Sequence, residues 1–414
     1  MLENYYKKKG IIRSLNIFFA ILYMVVYTTP FFRYVLGSRF RIIGLGLLAV
    51  WFFTSLLRIR PRYVSKFCAV VLLNVLVFAL MALVGVGNVK DIIAGYIAFW
   101  NFVFIFEVYL ILKDYRAIRI ITIALIVIIC ITGLTTIVAS FTYPNISKNT
   151  YKDSVTGNNI ANSLNVGGFD YIAGLSIVVP LFLYLVFRMK KKAFIVPLII
   201  CSVAVFMSGY TIDFLVLAIG VVMFVFSNSD MKLSVGKFLL AFVVLIVGVI
   251  IIKNSVGLIT MLSNSNEHLG SRMYELQSML NGELNDGTDL AYRIELYLRS
   301  LNSFLSSPLW GVGPYYYEGG HGLGNHSQIF DDLGRFGFIS VIVYIVTIIY
   351  FKKWLNALQE ITNKQYSLMI PYIQFLILSL LNPTLILPIL GLVLFFVLPG
   401  IYFIDYKGEK YEKI

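Results

Sequence analysis

The amino-acid sequence predicts an all-α polytopic membrane protein, on the basis of its composition and its recurring apolar stretches. Hydrophobic residues make up 59% of the 414 residues and charged residues only 13%, which lies outside the range of soluble globular domains. A bilayer core needs roughly 20 apolar residues per helix, and stretches of this length recur along the chain. We therefore expect about 12 transmembrane helices.

The predicted spans divide the chain into three parts. A bundle over residues 1–253 contains about nine of them and includes an external loop over 142–168. A long polar segment over 254–337 follows, and residues 338–414 contain the last three spans and a tail. The predicted spans are residues 15–36, 40–57, 67–87, 92–112, 118–141, 169–187, 193–209, 211–227, 238–253, 338–353, 366–382 and 384–404.

The basic residues predict the orientation of the chain, because lysine and arginine are retained on the cytoplasmic side. Basic runs at Lys7–Lys9, 58–66 and 188–192 fall between predicted spans that end on the same side. Both termini are then cytoplasmic, and the polar segment is external. The net charge of +13 is explained by basic loops next to anionic lipid head groups. We therefore expect membrane lipids, and not nucleic acid, as partners.

The cysteines and the charges inside the spans exclude several other classes. Cys68, Cys130 and Cys201 all fall within predicted spans, where a cysteine packs as a small apolar residue. The histidine spacing does not match a metal site, so we expect no metal and no cofactor. Glu107 is the one acid well inside a span, either as a structural or as a functional group. Ion-coupled transporters usually carry several such groups.

The polar segment is the predicted site of function, because all three histidines lie in it. They are His268, His321 and His326. The segment also contains four arginines and nine acidic residues, which reverses the charge sign of the cytoplasmic side. We predict a short amphipathic helix over 270–282 and a second helix over 289–306. The second helix has an apolar stripe that can rest on the membrane surface or on the bundle, formed by Leu290, Ile294, Tyr297, Leu298, Leu301 and Leu305.

Two arginines on the second helix are candidates for binding a diphosphate. Arg293 and Arg299 carry guanidinium groups, whose planar fork donates two parallel hydrogen bonds to phosphate oxygens. The alternative is an ordinary helix ion pair, since Asp289 precedes Arg293 by four residues and Glu295 precedes Arg299 by four. The sequence leaves both interpretations open.

A glycine- and tyrosine-rich loop follows that helix. A loop with this many glycines, which include Gly311 and Gly313, can bring its backbone amides close to an oxyanion or a phosphate. Tyr315 and Tyr316 offer flat faces for sugar rings, or act as anchors at the membrane interface. His321 lies further along the loop as a weaker candidate for substrate binding than His326.

A last helix of the polar segment is predicted to start at Asn325, with Gln328 completing a capping box. His326 would then lie in the first turn, where the positive end of the helix favours a neutral imidazole, the form that a general base requires. The alternative is that His326 only hydrogen-bonds its own loop. Asp331 and Arg335 have ion-pair spacing, and Asp331 orients the imidazole only if the chain bends.

Several of these positions resemble the O-antigen polymerase and ligase superfamily of polysaccharide assembly, and within it a Wzy-type polymerase. Arg293 corresponds to an arginine before the Gly-x-Gly turn, and His326 to a histidine followed by Asn or Ser in the family. The matching positions are Arg293, Pro308, Gly311–Gly313, Asn325–Ser327, Asp331 and Gly337.

One feature of the superfamily is missing from this chain. A Ser-x-Ser-Arg-like segment between two spans corresponds at best to Ser208–Asp213, which has no arginine. If the mechanism is shared, another basic residue must take its place, and the candidates are Arg299, Arg335 and Lys152.

The resemblance implies a polysaccharide polymerase that acts on the outer side of the bacterial plasma membrane without a metal. It would transfer an oligosaccharide from undecaprenyl diphosphate to another lipid-linked repeat unit, with His326 as general base. A chain-length regulator and a flippase are the implied protein partners. A lipid-linked glycan ligase, and a flippase or exporter of lipid-linked oligosaccharide, are the alternatives.

Overall fold

A computed structural model describes residues 2–58, 65–84, 89–143, 146–149, 155–254, 289–313 and 323–405. These residues form helices and connecting loops, and none of them forms a β-strand. The predicted all-α class is therefore confirmed for the part of the chain that the structure describes.

The helices fall into two groups separated by residues 255–288. Before that gap they are α1 (Leu2–Thr28), α2 (Pro30–Leu36), α3 (Phe40–Leu56), α4 (Lys66–Val84), α5 (Val89–Ile111), α6 (Tyr115–Thr142), α7 (Ile146–Asn149), α8 (Val155–Ser163), α9 (Phe169–Leu183), α10 (Ile195–Met207), α11 (Thr211–Phe226) and α12 (Val235–Asn254). After it they are α13 (Asp289–Ser306), α14 (Gln328–Phe336), α15 (Phe338–Thr362), α16 (Met369–Leu381), α17 (Pro388–Leu392) and α18 (Leu398–Gly400). Wider π-helical turns extend α9 over Tyr184–Arg188 and join α17 to α18 over Val393–Val397.

Among the described residues, four helices are long and apolar enough to cross a membrane, and α2 with α3 would make a fifth span, bent by 111°. The other predicted segments coincide with shorter apolar helices. The count of 12 spans and the cytoplasmic termini remain predictions. The four long candidates are Gly10–Thr28, Tyr115–Thr142, Phe169–Arg188 and Phe338–Thr362.

The first predicted span, over 15–36, is not a single helix. Helix α1 ends at Thr28, and α2 starts at Pro30 after Thr29 adopts an extended conformation. Proline has no backbone N–H to continue the hydrogen-bond ladder, but its fixed φ suits the first position of a new helix. The prediction of one continuous span was wrong for this reason.

Helix α9 is the centre of the bundle. Nearly all of its residues are buried, and α10, α11, α16 and α17 pack around it. Gln374 of α16 links this helix to α9 and α11 by hydrogen bonds. Its amide nitrogen donates to the carbonyl oxygens of Ser176 at 3.1 Å and Val216 at 2.8 Å. Buried polar groups in a membrane bundle need such partners, and this one fixes the relative positions of α9, α11 and α16.

A cluster of aromatic rings joins α4 to α15 near the predicted cytoplasmic side. The Phe67 ring lies 5.2 Å from that of Trp354, centroid to centroid. The indole nitrogen of Trp354 donates to Glu107 at 2.6 Å, and the Ser65 hydroxyl donates to the same oxygen at 2.8 Å. These contacts favour the structural interpretation of Glu107.

Ion pairs link connections that the charge pattern predicts to be cytoplasmic. Asp114 accepts from Arg13 at 2.6 Å and from Arg58 at 2.5 Å. Burial acts to raise the pKa of Asp114, but the two guanidinium groups outweigh it and hold the pKa below its usual value. Asp405 similarly pairs with Lys191. Since each pair joins segments predicted on the same side, the contacts agree with the predicted topology.

Candidate active site

Helices α13 and α14 form the body of the candidate site. Helix α13 has the bounds 289–306 that the sequence predicts. It packs on α14 through Leu296, which is 3% exposed, and through the rings of Tyr297 and Phe330, whose centroids lie 5.8 Å apart. The chain just before α14 also lies close to α13, since an added Cβ at Gly324 would lie 2.1 Å from the carbonyl oxygen of Leu296.

The buried face of α13 is not the apolar stripe that the sequence suggests. Ile294, Leu298 and Leu305 from that stripe are exposed. Ser300 and Ser303 are buried instead. The prediction that the stripe packs on the bundle is therefore wrong for these three residues. The alternative prediction, that they contact the membrane surface, remains. Small serine side chains let α13 approach α14 more closely than leucines would.

His326 lies in a short loop over residues 323–327, which we call the His326 loop. Its imidazole is half-buried, and Nδ1 is 3.2 Å from the carbonyl oxygen of Gly324. A carbonyl oxygen only accepts, so Nδ1 carries the proton and Nε2 of the neutral ring keeps its lone pair. The ring also contacts Tyr292 edge-on, with centroids 6.3 Å apart. The geometry thus leaves Nε2 as the proton-accepting atom.

The start of α14 differs from the prediction. Ser327 is the N-cap, its hydroxyl accepting from the amide of Phe330 at 3.2 Å, so the helix begins at Gln328. Asn325 has a left-handed φ of 55° and cannot be the cap. The predicted cap at Asn325 and the capping box with Gln328 were therefore wrong. His326 precedes the helix and does not lie in its first turn.

Asp331 holds the backbone of the His326 loop and not the imidazole. One carboxylate oxygen accepts from the amide of Asn325 at 3.0 Å, and the other from the amide of Ser327 at 3.2 Å. Ser300 of α13 donates to Asp331 at 2.6 Å and accepts from the amide of Gly324 at 2.8 Å. The spacing of Asp331 and Arg335 suggests an ion pair, but within the described residues Asp331 does not pair with Arg335. Its carboxylate accepts hydrogen bonds from the backbone of the His326 loop instead.

Arg293 reaches the connection between α16 and α17. Its Nη1 lies 3.4 Å from the side-chain oxygen of Asn382, and the neighbouring Tyr297 donates to the carbonyl oxygen of Leu381 at 2.9 Å. Burial raises the pKa of Tyr297, and the positive charge of Arg293 partly offsets this effect. Since Tyr292 contacts His326, the first turns of α13 bring Arg293 and His326 to one side of the molecule.

The other two candidate arginines have protein partners. Arg299 pairs with Glu295 at 3.0 Å, the helix ion pair that the sequence offers as the alternative. Arg335 donates to the side-chain oxygen of Asn325 at 2.6 Å and pairs with Asp332 at 3.4 Å. Both guanidinium groups therefore have contacts that compete with a phosphate.

Gly311 and Gly313 support α14 and do not present free amides. The amides of Val312 and Gly313 donate to the carbonyl oxygens of Gly334 at 2.8 Å and Arg335 at 3.0 Å. Gly311 has a φ of 72°, and an added Cβ would lie 2.2 Å from the backbone of Arg335. The amides of Val312 and Gly313 therefore satisfy the last carbonyl groups of α14. Residues 314–322 of the loop lie outside the described residues, so its predicted role in binding an oxyanion or a phosphate stays a prediction.

Several candidate residues lie outside the part of the chain that the structure describes, so their predicted roles stay predictions. They are His268, His321, Tyr315, Tyr316, Lys152 and the short helix predicted over 270–282.

A buried polar network at Asp332 was missed from the sequence. Asp332 is fully buried and accepts from Tyr96 at 2.9 Å, from Gln328 at 2.7 Å and from Tyr344. Burial raises the pKa of Asp332, while Arg335 and the hydrogen bonds oppose the rise. The network fixes α14 against α5 and α15, which anchors the end of the site helix.

Ser300 and Asn382 were also missed, although each has a recognisable signal. Ser300 and Ser303 are polar residues on one face of an otherwise apolar helix, which indicates a polar contact on that face. Asn382 precedes Pro383 in a short break between two apolar segments, which is a frequent position for exposed backbone and ligand contacts.

An apolar cavity of about 320 Å³ lies beside α14. Gln328, Ile329 and Leu333 line it on the α14 side, and Phe67 and Phe351 line its opposite end near the aromatic cluster. Its lining is almost entirely apolar, and its volume is about twice that of the engineered ~150 Å³ cavity that binds benzene. The cavity can therefore hold a substantial hydrocarbon group two residues away from His326 along the chain.

Residues 196–345 match the family model described as O-antigen ligase. This region contains Arg293, Gly311, His326 and Arg335 but not Asn382. No curated protein and no solved structure gives a significant match to the chain. The match supports the resemblance to the O-antigen polymerase and ligase superfamily, and it does not distinguish a polymerase from a ligase.

Proposed function

We propose that this protein is a glycosyltransferase that moves an oligosaccharide from a polyprenyl diphosphate carrier to a sugar hydroxyl. The observation that carries the proposal is the His326 imidazole, whose Nδ1 is directed at the carbonyl of Gly324 so that Nε2 remains the base. The family match over residues 196–345 supports the same chemistry.

Two features near His326 bind the donor in this proposal. Arg293 contacts the diphosphate with a guanidinium group that stays charged at every relevant pH. The apolar cavity beside α14 takes part of the hydrocarbon chain of the carrier, since its walls offer almost no polar atoms. A substrate with a charged head and a long apolar chain fits this combination. Tyr315, Tyr316 and His321 are proposed to contact the sugars.

The reaction forms one bond and breaks one. The oxygen of the acceptor hydroxyl attacks the anomeric carbon of the donor sugar, and the bond from that carbon to the diphosphate oxygen breaks. The diphosphate leaves with the electron pair, and Arg293 stabilises its developing negative charge. Nε2 of His326 accepts the proton of the hydroxyl, which is a weak nucleophile without a base.

The predicted topology places this reaction on the outer side of the bacterial plasma membrane. We propose undecaprenyl diphosphate as the carrier and another lipid-linked repeat unit as the acceptor, which makes the protein a polysaccharide polymerase. A flippase would then supply the donor, and a chain-length regulator would act on the product. The second candidate is a ligase, which the description of the matching family favours.

The products distinguish these functions. Purified protein with undecaprenyl-diphosphate-linked repeat units gives a ladder of increasing repeat number if it is a polymerase. A single transfer to a different acceptor indicates a ligase. Movement of the substrate across vesicles without any new glycosidic bond indicates a flippase or exporter.

The role of His326 is tested with His326→Ala in the same assay. Loss of the general base should lower the rate about 100-fold to 10,000-fold, while binding of the donor stays unchanged. Ser306→Ala on the far end of α13 is the control and should keep the wild-type rate. A folded His326→Ala variant that reacts at the wild-type rate contradicts the proposal.

A further inference from the structure

The backbone on both sides of His326 is held by two buried side chains that do not contact its ring. Asp331 accepts from the amides of Asn325 and Ser327, one carboxylate oxygen for each. Ser300 accepts from the amide of Gly324 at 2.8 Å and donates to Asp331 at 2.6 Å. Three of the amides in the His326 loop are therefore fixed by a single pair of side chains.

Both members of the pair are shielded from water. Ser300 is fully buried and Asp331 is 2% exposed. The Asp331 carboxylate accepts three hydrogen bonds, and loss of the Ser300 hydroxyl would leave the buried amide of Gly324 without its acceptor. The loop conformation therefore depends on the pair more than a solvent-exposed loop would.

Capping of α14 does not account for these contacts. The cap is Ser327, whose own hydroxyl accepts from Phe330. The bond from Asp331 back to the amide of Ser327 resembles an ordinary capping contact. The hydrogen bonds from the amides of Asn325 and Gly324 involve residues that precede the helix. They therefore fix the conformation of the His326 loop and do not cap α14.

Ser300 also belongs to the helix that carries Arg293. The two residues are seven apart on α13, about two helical turns. Through Ser300, the His326 loop is thus attached to the same rigid element as the arginine. The distance between the base and the diphosphate site is then set by α13.

We propose that Ser300 and Asp331 are positioning residues that hold Nε2 of His326 at the acceptor hydroxyl while Arg293 holds the diphosphate. This inference rests on the proposed glycosyl transfer. The pair acts through the backbone of residues 323–327 and touches neither substrate. A misplacement of about 1 Å in such a site costs about 100-fold in rate.

The test compares Ser300→Ala with Ser300→Thr, which keeps the hydroxyl, and with Ser306→Ala as the matched control on the same helix. Ser300→Ala should lower kcat about 100-fold and leave the KM for the donor unchanged, and a cooperative melting transition shows that the variant is folded. Ser300→Thr should restore most of kcat. In a His326→Ala background, Ser300→Ala should cause no further loss, because its effect passes through His326.

Hydrogen exchange at the amides of Gly324, Asn325 and Ser327 provides a readout that needs no activity. These amides should be protected in the wild type and exchange faster in Ser300→Ala and Asp331→Asn. Equal kcat in Ser300→Ala and the wild type overturns the inference, as does a loss that is additive with His326→Ala. A wild-type protein without any glycosyl transfer would overturn the proposed function itself, which is a distinguishable result.

Discussion

His326 is oriented by a hydrogen bond and not by a helix dipole. The sequence places it in the first turn of a helix, where the positive end would keep it neutral. In the structure it precedes the N-cap Ser327, and the carbonyl oxygen of Gly324 accepts from its Nδ1. The carbonyl selects the tautomer of the neutral ring, with the proton on Nδ1, and so leaves Nε2 as the accepting nitrogen.

Arg293 and Arg299 have the same side chain on one helix but different surroundings. Arg299 pairs with the carboxylate of Glu295, whereas Arg293 lies 3.4 Å from the neutral amide oxygen of Asn382 and beside the hydroxyl of Tyr297. A phosphate competes poorly with a carboxylate that is already bound, and much better with an amide.

Replacement of these arginines should therefore give unequal results. Arg293→Ala should raise the KM for the lipid-linked donor about 10-fold to 100-fold, the value of a charge-assisted hydrogen bond. Arg299→Ala, as the matched control, should change it less than about threefold. Donor titration in the transfer assay measures both. Equal effects of the two substitutions on the KM would contradict the proposal that Arg293 binds the diphosphate.

At the scale of helices, the site depends on how closely α13 approaches the His326 loop. The bounds of α13 follow from the sequence, because apolar periodicity and the end signals at Pro308 and Gly311 are local. The buried face does not. Ser300 and Ser303 are buried beside α14, because an added Cβ at Gly334 of that helix would lie only 2.9 Å from the carbonyl oxygen of Ser300. Leu298 and Leu305 are exposed instead.

Gly324→Ala should disrupt this contact. Its Cβ would lie 2.1 Å from the carbonyl oxygen of Leu296, so α13 or the loop must move. We expect kcat to fall at least about 10-fold, since Arg293 and His326 lie on the two separated elements. Gly236→Ala is the control, because nothing lies within 4 Å of its added Cβ. A fully active Gly324→Ala variant would show that the close approach is unimportant.

At the scale of the whole molecule, residues predicted on opposite sides of the membrane form separate polar clusters. Asp114 with Arg13 and Arg58 joins predicted cytoplasmic connections. Gln328 accepts from the amides of Thr384 and Leu385 and so joins two predicted external ones. The candidate site belongs to the second group.

Cysteine labelling tests this orientation directly. In a background without Cys68, Cys130 and Cys201, a membrane-impermeant maleimide should label Leu309→Cys in intact cells, since Leu309 is 65% exposed. Glu360→Cys is exposed near the end of α15 and should react only after permeabilisation. The reverse labelling pattern would place the candidate site in the cytoplasm and exclude the proposed external reaction.

The cavity beside α14 is proposed to bind part of the hydrocarbon chain of the donor. Val341→Trp would fill part of it and should raise the KM for the lipid-linked donor about 10-fold, because the hydrocarbon chain loses apolar contact area. Ile342→Trp is the matched control on the next position of α15, which is 61% exposed and does not line the cavity. An unchanged KM in Val341→Trp would show that the cavity does not contribute to donor binding.

The local features of this protein were predictable, because they depend on neighbours along the chain. Composition determined the all-α membrane class, the charge pattern predicted an orientation, and the concentration of histidines and arginines predicted the segment that contains the candidate site. The break at Thr29 was missed because Pro30 can either kink a span or start a new helix.

Contacts between distant parts of the chain were decided only by the tertiary structure. Ser300 and Asp331 are 31 residues apart, and Arg293 and Asn382 are 89 apart. No periodicity encodes such pairs, because they arise when several helices pack at once and buried polar groups must find partners. The sequence by itself determined the all-α membrane class and predicted the candidate residues, and the packing decided which of their atoms are used for contacts inside the protein.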